Sequence, residues 1–578
     1  MLPLAFRPKL LDCLRAGYTR ADFAADLAAG LTVGVVALPL AMAFAIASGL
    51  PPQAGIYTSI VAGFLISLLG GSRVQIGGPT GAYVVVVYGI VARYGVANLA
   101  ICTIAAGAIL LALGVFRLGG LIRLIPVGIV IGFTNGIALL ILLSQARDFL
   151  GLAKPLPEEF FAKLRYLAGH LGDADPIPLS LALACVLVIY AWPRRVMSGG
   201  EALEAIDGAK PPEHSAPLAT GRAAMLRRVL APFPAPIVVL VVASVAAALL
   251  ELPLETIGTR FGGVPQGLPD LAMPAITLSR LRDLVGPIIA IALLGAIESL
   301  LSARVADTMI GDRHDPNQEL MAQGIANLVT PFVGGIPATG AIARTATNVR
   351  AGGRTPIAGV IHSVTLLAIV LVAAPLARYV PLSALAAVLV VVAINMGDWK
   401  AFRELRRYSV PYRVVLLATF ALTVAFDLAT AVEVGLVLSA LFFIYRLAEL
   451  TRVDRIESPV EGVAIYRLFG ALFFGSVARL DRLREAAQDG TRVAILDMEQ
   501  VVSLDNTALD ALADVQRSLA AHGVTMILCG LNAHPAAQLE RSDLPLRIGE
   551  GRIVERRDDA LRIARDLLQQ PSPRVPKL

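Results

Sequence analysis

The 578-residue chain is 56% hydrophobic and only 16% charged, with a mean hydropathy of +0.71. That composition excludes an ordinary soluble globular protein, because several apolar runs approach the ~20 residues that cross a bilayer. Four scattered cysteines and six unclustered histidines give no spacing for a disulfide framework or a metal centre, and a formal net charge of +6 is placed as a topology signal rather than as a nucleic-acid surface.

Residues 1–26 carry Arg7, Lys9, Arg15 and Arg20 and no cleavable signal pattern, which predicts a cytoplasmic N-terminal segment. Apolar segments follow near 27–50, 53–70, 81–94, 97–114, 120–145, 178–193 and 233–250. A second series runs near 284–303, 316–333, 338–349, 355–375, 380–396, 411–426 and 428–447. The reading is a polytopic α-helical membrane protein of about fourteen segments, with a first repeat over about 27–250 and a second over about 284–447. An odd number of spans per half inverts the second half relative to the first. Threading from a cytoplasmic N-terminus puts Arg194, Arg195, Lys210, Arg222, Arg227 and Arg228 inside, together with Lys400, Arg403, Arg406, Arg407 and Arg413.

The third segment of each half opens on a Gly/Pro break: GGPTGA at Gly77–Ala82 and GGIPATGA at Gly334–Ala341. Corresponding breaks in two halves of a membrane chain mark a transporter's binding site. Each leaves backbone N–H groups and the positive end of a half-helix at membrane depth, and two such ends facing each other hold an anion. The cradle predicted from these breaks is Thr80, Gly81, Ala82 and Tyr83 opposite Thr339, Gly340, Ala341 and Ile342. Glu298 is the lone acid in the apolar run Pro287–Leu301, and a carboxyl group at such depth is a functional candidate by default. Its bland alternative is a structural carboxylate paired with Arg304. Arg344 lies three residues into the second half-helix, where it either serves the site or snorkels to the cytoplasm. Asp427 and Glu433 read as structural or capping groups near the outer surface.

From about Val453 the chain becomes charged, and short β-rich runs alternate with helical ones. Strands are predicted at Val463–Phe469, Arg492–Met498 and Val524–Cys529, and helices at Val477–Ala487, Asn506–Ala521 and Arg557–Leu568. The domain reading is therefore a membrane domain over 27–450, an α/β domain over 453–570 and a frayed tail over 571–578. No phosphate loop of the GxxxxGK[ST] type, nucleophile–base constellation or metal-ligand set is present, so no enzyme activity, cofactor or nucleic-acid partner is expected.

Ala29–Thr58, Gly295–Leu320 and Gly334–Ser363 resemble the SulP (sulfate permease) anion transporters, and the C-terminal unit resembles a STAS domain. Within that family the chain looks most similar to the aerobic C4-dicarboxylate branch of enterobacteria. The resemblance implies core and gate domains, an elevator-type motion, a homodimer, a bacterial inner-membrane location with both termini cytoplasmic, and a STAS domain that meets a regulatory partner. It implies that Phe44 walls the pocket and that Arg344 stands near the site. A sodium-coupled bicarbonate branch has Asp, Thr and Thr at the positions of Glu298, Ser302 and Ile342. Apolar Ile342 therefore favours a proton over sodium as the coupling ion, with Glu298 and Ser302 the coupling-ion residues. In the STAS-like unit Asp505 is followed by Asn506, so the phosphorylated serine of sigma-factor antagonists is absent. The expected function is proton-coupled uptake of a dicarboxylate such as succinate or fumarate. Sulfate or bicarbonate is the alternative within the class, and an uncoupled anion channel or exchanger is the alternative outside it.

Overall fold

The computed structural model describes residues 6–120, 125–157, 159–192, 234–267, 282–426, 428–487 and 490–569. The basic stretch from Arg194 to Arg228, Asp427 and the 571–578 tail lie outside the described residues. The chain divides into two compact units, 1–436 and 437–578.

Fourteen segments follow one another as the hydropathy predicts. The first seven are α1 (Arg20–Ala47), α2 (Pro52–Leu69), α3 (Gly81–Tyr94), α4 (Val96–Val115), α5 (Val127–Leu150), α6 (Pro176–Ala191) and α7 (Ala235–Leu249). The second seven are α8 (Val285–Ile310), α9 (Pro316–Val329), α10 (Ile342–Arg350), α11 (Ile357–Ala373), α12 (Leu382–Met396), α13 (Val410–Ala425) and α14 (Leu428–Leu450). Seven of them (α1, α2, α4, α5, α8, α11 and α14) are long and apolar enough to span alone. The preceding helix Phe160–Asp173 meets α6 at 109°. The half-helices are the short ones: α10 has only 9 residues, because the Gly/Pro break before it occupies the other half of the crossing.

Packing obeys the exchange of halves. Helix α4 packs on α9 as α11 packs on α2, α1 packs on α11 as α8 packs on α4, and α5 packs on α13 as α12 packs on α6. The result is a 7+7 inverted repeat in two bundles: α1–α4 with α8–α11 form the core, and α5–α7 with α12 and α13 form the gate, against which Gly435 near the start of α14 packs on Thr419 and Ile129. Small residues set the distances, as expected where lipid removes the hydrophobic drive between helices. In α1 a Cβ on Gly30 would lie 2.7 Å from Ile361 Cβ, and one on Gly34 would lie 2.8 Å from Thr365 Cβ. In the gate, Gly132 and Gly136 of α5 bring the backbone equally close to Leu416 and Thr423 of α13. Helix α1 starts on a capping box between Thr19 and Asp22. Fully buried Asp26, one turn on, accepts the backbone N–H groups of Arg354 (2.7 Å) and Thr355 (3.0 Å) and so fastens the entry to α11.

The second unit carries a five-stranded sheet in the order β3 (Arg452–Ile456), β4 (Val463–Leu472), β5 (Val493–Leu504), β6 (Thr525–Cys529) and β7 (Ile553–Val554), after the two short strands β1 and β2 of the membrane unit described below. Only the β3–β4 pair is antiparallel. Helices α15 (Asn506–Ala521) and α16 (Arg557–Gln569) cover it, and Asp505 caps α15 through the N–H of Ala508 at 2.8 Å. Two expectations need correction. Strand β5 continues past Met498 to Leu504, because two register shifts let β4 and β5 stay paired through Glu499–Leu504. The stretch Val477–Ala487 is one α-turn followed by a 3₁₀ helix rather than one α-helix. Burial pushes the Cys529 thiol up to about 12, so its thiolate fraction at pH 8 falls about a thousandfold below that of an ordinary cysteine. Maleimide applied to the native full-length protein at pH 8 is expected to spare Cys529 and to label it only after denaturation, as read by peptide mapping.

Candidate functional site

The two Gly/Pro breaks meet inside the core. Gly77–Gly78 (β1) and Thr339–Gly340 (β2) pair antiparallel, Gly77 with Gly340 and Gly78 with Thr339. A two-residue ladder is all that glycine-rich chain can form here, and it ends where α3 and α10 begin. The pair thus aims two half-helix N-termini at the same region from opposite strands. Neither start carries a side-chain cap, so the end charges of both half-helices stay available to a ligand. Two predicted donors are already committed: Ala341 N–H binds Ile76 O at 2.8 Å, and Tyr83 N–H binds Thr80 O at 3.3 Å.

Core helix α8 runs alongside and supplies the acid. Glu298 Oε2 accepts the Thr80 hydroxyl at 2.7 Å, directly at the start of α3, and its side chain is only partly buried. The bond goes to the first break rather than to Arg304. The rest of this α8 face fixes the breaks. Thr339 Oγ1 donates to Gly295 O at 3.0 Å, and Tyr83 OH donates to Ile291 O at 2.9 Å. Tyr83 and Ala82 are buried, and a side chain at Gly295 would collide with the Tyr83 hydroxyl. Ser302 lies one turn along α8 from Glu298. Its Oγ lies 3.2 Å from Thr345 Oγ1, which itself accepts Ile76 N–H at 3.0 Å, so Ser302 braces α10 against the first break.

Arg344 does not reach a surface. It is 3% exposed, donates to Pro79 O and to Ser59 Oγ (3.4 Å), and fills the space over Gly78. The second half-helix therefore carries a buried cation that grips the first break, within electrostatic reach of Glu298. Ile342 opens α10 and is half-buried. Phe44 is buried, 3.4 Å from the position a Cβ on Gly81 would take. Two gate residues close the same spot, Met396 Sδ at 3.3 Å and Ile141 Cδ1 at 3.5 Å. Sequence reading missed both, since nothing in an apolar helix distinguishes a pocket wall from packing. It also missed Asn327, whose amide pairs with both N–H and C=O of Ala338 at 2.8 Å and holds the second break in shape. Glu433 lies with Val432 along a narrow apolar cleft between α14, α5 and the Ile289–Ile297 face of α8.

Residues 23–419 match the sulfate permease family, and residues 458–560 match the STAS domain. A Bacillus subtilis relative named "Putative sulfate transporter YvdB" is 38% identical over 94% of this chain and 98% of its own length. The transmembrane domain of a cyanobacterium bicarbonate transporter, BicA, superposes with a TM-score of 0.60 at 29% identity, covering 72% of this chain and 98% of that one. The murine solute carrier 26 family member A9 anion transporter, solved in the inward-facing state, has the same fold, with a TM-score of 0.80 at 19% identity over 97% of this chain and 94% of that one.

Proposed function

The chain belongs to the sulfate permease family of membrane anion transporters, and from that premise we propose that it is a secondary active carrier of a small inorganic oxyanion, of the sulfate or bicarbonate kind, coupled to a proton through Glu298. The observation that carries this reading is the 2.7 Å bond from Thr80 to Glu298 at the mouth of a half-helix. An anion bound to the two half-helix ends would contact the same turn that holds the acid, so loading of the site and the charge of Glu298 cannot be independent. The contacting groups are backbone N–H groups of Gly81, Ala82 and Ile342, and the Thr80 hydroxyl, whose proton goes to Glu298, ties the acid to the same turn. Thr339, Gly340, Ala341, Tyr83 and Arg344 shape the cradle, Phe44 walls it, and Ser302 braces it. Such a cradle reads charge and size.

A dicarboxylate remains a permitted size class for backbone recognition, but the named relatives are sulfate and bicarbonate transporters, and the reading follows them. The core bundle carries the cradle past the gate wall of Met396 and Ile141 in an elevator motion. The protein works as a homodimer in the bacterial inner membrane with both termini cytoplasmic, and its STAS domain contacts a regulatory partner. The test is uptake of labelled sulfate and of bicarbonate into proteoliposomes with and without an inward proton gradient, with succinate as competitor. Saturable, gradient-stimulated uptake of either inorganic anion, with counterflow, is the expected result. Uptake of succinate alone would restore the dicarboxylate reading, and unsaturable flux would make the protein a channel.

A further inference from the structure

A second acid lies beside the site and has no part in the reading above. Glu319 of α9 is fully buried. Its Oε1 accepts Ser299 Oγ at 3.0 Å and Gln323 Nε2 at 2.8 Å, and its Oε2 accepts Gly71 N–H at 3.0 Å. All three partners donate, so the group acts purely as an acceptor. Ser299 is the residue after Glu298 on α8. Its one hydroxyl proton is committed to Glu319, so its oxygen can only accept from the next partner. That partner is Gln75, whose Nε2 approaches Ser299 Oγ at 3.1 Å and Ser299 O at 3.3 Å. With both Ser299 oxygens demanding a donor, the amide of Gln75 has only one usable orientation. In that orientation Gln75 Nε2 fills the space a side chain at Gly340 would need, against the second break, while Gln75 Oε1 is buried without a partner.

We propose that Glu319 is a positioning residue for anion binding: through Ser299 it fixes the Gln75 amide, and Gln75 seats Gly340 of the second break against Gly77 of the first. The inference rests on reading the paired breaks as the anion site. The unpartnered Gln75 oxygen is the cost of that orientation, since the opposite one would turn that oxygen toward the two oxygens of Ser299 and leave it no better satisfied while the NH₂ lost both partners. A glutamine at 319 keeps the shape but brings an NH₂ group among three donors, so one of Ser299, Gln323 or Gly71 loses its acceptor.

The test uses the reconstituted full-length protein and labelled sulfate and bicarbonate as probes. Glu319→Gln is expected to raise the KM of the transported anion about tenfold while the maximal rate per correctly inserted molecule changes less than about twofold. A merely structural role would lower the amount of active protein and leave KM alone. Ser299→Ala keeps the Gln323 and Gly71 bonds to Glu319 and cuts only the relay, so it is expected to reproduce the KM change, and it carries the test if Glu319→Gln does not fold. Unchanged KM in Ser299→Ala overturns the proposal. Gly340→Ala separates the two readings: full transport in that variant would remove the cradle itself, whereas its loss beside an unchanged Ser299→Ala would sink only the positioning role.

Discussion

Replacing Glu298 by Gln is expected to reduce proton-gradient-driven uptake by a factor of about ten to a hundred while anion counterflow survives within a few-fold. Glutamine still offers an oxygen to the Thr80 hydroxyl that now binds Glu298 at 2.7 Å, so the mouth of α3 keeps its shape and the change isolates the titratable proton. The two half-helix ends contribute about +0.5 each and Arg344 adds one, which gives roughly +2 with Glu298 neutral and +1 with it ionised. Sulfate, a dianion, is therefore better matched when the acid carries its proton, and its loading is favoured on the more acidic side of the membrane. Glutamine fixes the neutral arrangement. Binding then no longer depends on the proton, and a gradient has nothing to act on. Uptake and counterflow measured in parallel from pH 5.5 to 8 separate the two effects. Uptake by Glu298→Gln that stays gradient-stimulated would remove Glu298 from the coupling role.

Much of the architecture was legible because bilayer physics writes it into composition. Twelve of the fourteen segments follow from runs of apolar residues, α9 and α10 are more polar, and the repeat follows from the paired breaks, since glycine and proline interrupt helices wherever they fall at membrane depth. Glu298 stood out for the same reason, as the lone acid of its apolar run, and its bond to Thr80 puts it at the mouth of α3. The supporting residues were not legible. Gln75, Ser299, Glu319 and Asn327 come from α8, α9 and the segment just before β1, and no local pattern in the chain records their contacts. Glu319 sits in a polar stretch near the start of α9, where an acid reads as an ordinary helix-end charge. The contact of the Ser302 hydroxyl with Thr345 was not legible either. One residue's spacing on a helix gives its face, not which of two neighbours occupies that face. The C-terminal sheet was legible in its buried strands, but β5 outran its apolar run because pairing with β4, not hydrophobicity, sets its end.

Arg344→Ala is expected to abolish transport to within about a hundredth of the parent rate and to destabilise the membrane unit by about 3 kcal/mol. The guanidinium is 3% exposed and bridges from α10 to Pro79 O of the opposite break and to Ser59 Oγ. Truncation leaves a buried carbonyl and a buried hydroxyl unsatisfied, and it removes the cation nearest to Glu298 at the same time. Lysine separates these two contributions. It restores the charge, but a single ammonium cannot span the carbonyl and the hydroxyl as a planar fork does. If the residue mattered only as charge, Arg344→Lys would recover the parent KM. The grip on the first break requires instead that Lys recover thermal stability only in part and leave KM raised at least about fivefold. Gly78→Ala provides the same test from the other strand, since a Cβ there would press against Arg344 Nη1 at 2.5 Å and push the guanidinium off Pro79 without altering any charge. Arg344→Lys and Gly78→Ala should therefore share a raised KM although neither changes the charge of the site, and a Gly78→Ala protein with parent kinetics would refute the grip.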